Sequence, residues 1–130
     1  FAEAAPRLAA RGLEGPRAEA IWTAVHANLS RFDEIEEWVA ILDRGAAPVV
    51  APEDREFVAQ ALAALPPQPW SEATWGEWTS ALKAATGRKG RALFLPLRRA
   101  LTGRDRGPEM GPLMALMSAP APQPADIPAD

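Results

Sequence analysis

AEAIWTAVHANLSRFDEIEEWVAILDRG, residues 18–45, places Ile21, Trp22, Val25 and Leu29, then Phe32, Ile35, Val39 and Leu42, at helical spacing. That is the 3.6-residue period of helices with one apolar face, interrupted once, at Ser30. Ser30 with Asp33 three residues on is an imperfect capping box, which starts a second helix at about Arg31 and sets Arg31 on its first turn. The period returns in Phe57, Val58, Ala61, Leu62 and Leu65, and again in Trp75, Trp78 and Leu82. Alternation of β-branched and aromatic residues is nearly absent and the chain has no tyrosine, so no strand is predicted. The expected fold is all-α.

Proline and glycine divide the remainder. Gly45–Pro52 (GAAPVVAP) reads as a linker, and Pro52 with Glu53 and Asp54 opens the next helix, as proline and acid favour a helix N-terminus. Pro66, Pro67 and Pro69 stop that helix at about Leu65, and the next is predicted over Trp70–Ala85 and closed by Gly87. A further helix runs from about Gly90 to Leu101, bent at Pro96 and closed by Gly103, and a short last helix follows Pro108. Two consecutive small helical bundles are expected, residues 1–47 and 48–118. The segment 119–130 (APAPQPADIPAD), with four prolines and little to bury, is expected to be a disordered tail.

A chain of 130 residues can bury roughly two-thirds of its unfolded surface, enough for a core. With no cysteine and only His26 there is no disulfide, no cysteine- or histidine-built metal site and no Ser/His/Asp constellation. The lack of cysteine fits a reducing cytoplasm, and no apolar run approaches the ~20 residues of a membrane span. The chain starts at Phe1 inside an ongoing helical pattern, which points to a piece of something longer. Trp22, Trp75 and Trp78 fall on apolar stripes, so the tryptophans read as core before they read as base-stacking groups. Met110, Met114 and Met117 read as core filling, and Asp33, Glu34, Glu36 and Glu37 as a solvated helix face. No Walker-type loop is present. The chain reads as a binder without an active site.

What it binds is written in its charge. Residues 1–87 carry 7 basic and 13 acidic side chains, 88–106 carry 7 and 1, and 107–130 carry none and 3. The segment TGRKGRALFLPLRRALTGRDRGPEMG, residues 86–111, is therefore a basic island in an acidic chain. Such an island draws a polyanion to one face, with glycines that let the backbone approach phosphates. A helical protein-interaction module, or a small DNA-binding domain using Arg98, Arg99 and Arg104, is the rival reading.

The order Trp70-Ser71-Glu72-Ala73, Gly87-Arg88-Lys89-Gly90, Pro96-Leu97-Arg98, Ala100-Leu101-Thr102-Gly103 and Gly107-Pro108-Glu109 resembles the C-terminal anticodon-binding region of bacterial glutamyl-tRNA synthetases. The likeness extends back through Ser30-Arg31-Phe32-Asp33 and covers most of residues 17–117. It implies two helical anticodon-binding subdomains and tRNA(Glu) as partner, with neither DNA nor membrane. It also implies a cytoplasmic, monomeric parent ligase whose separate catalytic domain uses ATP and Mg. Neither of that domain's signatures, His-x-Gly-His or Lys-Leu-Ser-Lys, occurs here. By the same resemblance Arg31 reads the third anticodon base, Arg98 the middle one, and Gly107, Pro108 and Met110 hold the first. Arg88, Lys89, Arg91, Arg99 and Arg104 are then the expected phosphate contacts.

Overall fold

The computed structural model describes residues 2–127. Among them seven α-helices form: α1 Ala5–Ala9, α2 Gly15–Val25, α3 Ile35–Arg44, α4 Arg55–Ala63, α5 Thr74–Thr86, α6 Arg91–Thr102 and α7 Met110–Leu116. Single 3-10 turns extend α2 (His26–Asn28) and precede α3 (Phe32–Glu34) and α4 (Pro52–Asp54). No strand occurs among the described residues, and the fold is all-α.

Two helix starts depart from the expectation. Before α3 the cap is Arg31, in extended conformation, and the Glu34 carboxylate accepts the backbone N–H groups of Ser30 (3.3 Å) and Arg31 (3.0 Å). Glutamate three residues past the cap has the reach for this; Ser30 makes no side-chain cap, and a guanidinium has no acceptor to complete the box. α5 begins at Thr74, later than Trp70, because the intervening residues form a turn. The Trp70 indole N–H donates to the Pro66 carbonyl (2.8 Å), and the Thr74 hydroxyl accepts the Ser71 N–H (2.9 Å).

α1, α2 and α3 pack successively as one small bundle, and α6 packs on both α4 and α5 as the second. α7 touches α2, α3 and α5, so it joins the two. The buried side chains form one continuous cluster, with Ile21, Val25, Ile35 and Leu42 from the first bundle, Val58, Trp78, Leu82, Leu93 and Leu97 from the second, and Leu113 and Met114 from α7. Trp38, Trp70 and Trp78 are buried and Trp22 and Trp75 half-buried, in line with the core reading. Beyond α7, the Ser118 and Ala119 N–H groups both donate to the Leu42 carbonyl (2.8 and 3.1 Å), satisfying the end of α3. The Gln68 amide donates to the Ala119 carbonyl (2.7 Å), and the 3-10 turn Pro124–Asp126 lies against α4. Residues 128–130 of the Pro-rich segment lie outside the described residues.

Candidate nucleic-acid interface

The basic island folds as the α5–α6 turn, α6 itself and the loop into α7. α6 buries Leu93, Pro96, Leu97, Ala100 and Leu101. Phe94 and Arg98, four residues apart, sit one above the other away from that stripe. Pro96 has no N–H to offer the Ala92 carbonyl, and a carbonyl orphaned in this way needs another donor. Arg88 supplies it: Nη1 donates to the Ala92 oxygen (3.0 Å) and to Asp54 Oδ1 (2.8 Å), and the guanidinium lies over the Phe57 ring at 4.1 Å. The phosphate contact expected of Arg88 would compete with three internal partners.

Arg98 is half-buried, and Nη1 donates to the Pro108 carbonyl (3.0 Å). Desolvation pushes its guanidinium below the usual arginine range. It forms no ion pair with Glu72 or Glu77 or with any other acid among the described residues. Gly107 lies on Trp38: a Cβ there would stand 2.6 and 2.9 Å from two carbons of that ring and 3.2 Å from Arg98 Nη1. The structure thus brings Arg98, Gly107 and Pro108 together on a floor supplied by α3. Pro108 is buried, and Met110, at 3% exposure, turns its side chain into the core. A cleft of about 560 Å³ opens beside them, lined by Arg98, Met110, Phe94, Trp75, Glu72 and Glu109 among others.

Around it the cations separate into engaged and available. Arg99 and Asp105 form a two-pronged pair (2.6 and 3.1 Å), which raises the Arg99 pKa and, with the fields of Arg91 and Arg106, lowers that of Asp105. Arg104 lies 3.7 Å from Glu37 and 5.0 Å from the Trp38 ring centre. Lys89, Arg91 and Arg106 are exposed and have no ion pair among the described residues. Arg31, 71% exposed and 3.3 Å from Asp33, stands at the start of α3 and does not line the cleft.

The sequence model of the anticodon-binding domain family matches residues 1–119. The chain belongs to that family. Among the relatives of this anticodon-binding domain, a glutamate–tRNA ligase of Jannaschia sp. is 54% identical over 117 residues, which are 90% of this chain and 26% of the relative. Glutamate–tRNA ligases of Brucella melitensis biotype 1 and Brucella canis are 50% and 49% identical over 119 residues, again 90% of the chain and 26% of the relative. The anticodon-binding domain therefore spans about a quarter of the length of the curated relatives it matches. No solved structure matches it.

Sequence reasoning missed Phe94 and Trp75 on the cleft and Arg106 among the available cations. Phe94 could have been found, since in ALFLPLRRAL it is an apolar residue off the Leu93–Leu97–Ala100 stripe and in register with Arg98. Arg106 carries a charge signal equal to its neighbours'. The role of Trp38 as the floor under Gly107 has no local signal.

Proposed function

We propose that the chain is the anticodon-reading region of a glutamate–tRNA ligase and positions tRNA(Glu) for charging by a catalytic region outside these residues. In this reading residues 1–47 complete one anticodon-binding subdomain and 48–118 form a second. The parent acts as a cytoplasmic monomer, and ATP and Mg²⁺ serve its catalytic region. Among the described residues no group of three acidic or histidine side chains is gathered as for a metal ion, and no helix is long and apolar enough to cross a membrane.

One observation carries the reading: an arginine without an acid partner is held by a backbone carbonyl at the side of a cleft, within a domain of the anticodon-binding family. Guanidinium offers donors in a fixed fork, which suits the acceptor atoms on the edge of an unpaired base. Arg98 accordingly reads the middle anticodon base, and the Gly107–Pro108–Met110 segment holds the first. Lys89, Arg91 and Arg106 take phosphates, with Arg99 and Arg104 contributing where they can leave their acids. Binding to an anticodon stem-loop should then weaken with salt by a slope of about 0.7 per phosphate contact, roughly 2 to 3.5 in all. Salt-independent binding of a protein, or preference for duplex DNA, is the result that would overturn it.

Arg31 reads the third base in the same proposal. Cytosine presents O2 and N3 as acceptors to its donors, whereas guanine, which ends the glutamine anticodons, presents N1–H and N2–H. Unmatched buried donors cost about 1–3 kcal/mol, roughly ten- to hundredfold in discrimination. Arg31→Gln in the parent ligase should bring the charging of glutamine tRNA closer to that of glutamate tRNA by about that factor. Unchanged relative charging of the two tRNAs removes Arg31 from the reading.

A further inference from the structure

We propose that Phe94 is a base-stacking platform, on which the unpaired RNA base that meets Arg98 lies. The proposal rests on the anticodon-binding reading and adds to it a residue outside the charged and loop positions. Phe94 is 43% exposed, and the other large hydrophobic side chain as open among the described residues is Val49. A single exposed apolar residue is ordinary, so the surroundings decide its meaning.

Three features of the surroundings point to a base. The ring is anchored from the core outward: buried Trp78 meets Trp75 edge-on at 5.9 Å, and Trp75 meets Phe94 at 6.0 Å with a 34° tilt. A ring held in this way loses little conformational freedom when a partner lands on it. Next, Phe94 and Arg98 occupy successive turns of α6 and line the same cleft. Arg98 spends Nη1 on Pro108, while its Nε and Nη2 have no partner among the described residues and are not sealed from solvent.

The third feature is charge. Glu72 and Glu109 also line the cleft, so two carboxylates stand there with one guanidinium, which repels phosphate and tolerates a neutral ring. The exposed cations Lys89, Arg91 and Arg106 do not line it. Backbone and base are thus sorted to different places. Donors from Arg98 beside carboxylate acceptors complement an edge that alternates acceptor and donor, as that of uracil does with O4, N3–H and O2. Uracil is the middle base of both glutamate anticodons.

The test is equilibrium binding of the full chain to a glutamate anticodon stem-loop and to the same RNA lacking its middle base. Loss of one base–aromatic stack weakens binding about five- to hundredfold. Phe94→Ala should therefore bind the intact loop at least about fivefold less tightly, and Phe94→Leu, which keeps an apolar contact with Trp75 but no π face, should lose a similar factor. Phe94→Trp should bind within about threefold of the original chain. On the loop without the middle base, Phe94→Ala should cost nothing further. Unchanged binding by Phe94→Ala, or an equal loss on both RNAs, overturns the stacking proposal while leaving the anticodon reading intact. Failure of the unaltered chain to bind the intact loop overturns both.

Discussion

Trp78→Ala is expected to remove about 3–5 kcal/mol of folding stability, the range for emptying a buried aromatic site. Trp78 is 1% exposed, and its indole N–H donates to the Ala61 carbonyl of α4 (3.0 Å), so the substitution leaves a cavity and breaks a buried cross-helix bond. Against a typical domain stability of about 5–15 kcal/mol, that is enough to populate unfolded chain at modest urea concentration. The same residue holds Trp75, and through it Phe94, at the mouth of the cleft. RNA binding should thus weaken even in the fraction that remains folded. Urea titration followed by helical circular dichroism measures the first effect. A loss below about 1 kcal/mol would show that α4 and α5 do not depend on this side chain.

How much of this was legible in the sequence depends on the range of the interaction. Periodicity exposed α2 to α5, because the apolar stripe that packs each one recurs every three or four residues, while α6 was read from its bounding glycines and the bend at Pro96. Gly87 and Gly103 ended α5 and α6 as read, since each takes a left-handed conformation at the helix terminus, with φ of 76° and 71°. α1, only five residues long, is too short to show a period of its own. The capping of α3 by Glu34, where Ser30 had been expected, turns on the reach of a side chain rather than on its type.

The site was legible in composition and less so in allocation. Counting charges identified the basic island, but it could not tell Arg88, which satisfies the carbonyl freed by Pro96, from the exposed Lys89 beside it. Proline in α6 and arginine in the preceding turn are coupled through Asp54 and Phe57, which the sequence places on another helix and its leading turn. The Gly107–Trp38 contact is similarly non-local. The family resemblance assigned Arg98 and Pro108 to adjacent anticodon bases; the contact between Arg98 Nη1 and the Pro108 oxygen is seen in the structure alone.

That contact leads to the second large effect. Gly107→Val should cost about 1–3 kcal/mol of stability and weaken anticodon stem-loop binding by at least about tenfold, because excess volume in a packed site forces backbone to move. Space and backbone act together, since a φ of 159° lies in the positive region that L side chains rarely adopt. A Cβ 2.6 Å from the Trp38 ring cannot be relieved by rotating a flexible chain end, because Trp38 is itself buried between α3 and its neighbours. The loop must lift, and the Pro108 carbonyl then leaves Arg98 Nη1, freeing the fork from the orientation in which it faces the cleft. Gly76→Ala is the matched control, for nothing lies within 4 Å of its added methyl, and it should bind RNA as before while gaining roughly 0.5–1 kcal/mol in helix propensity. Should Gly107→Val lose stability yet keep its affinity, the position of the loop would be irrelevant to recognition, and the RNA contacts would have to be sought on the exposed cations alone.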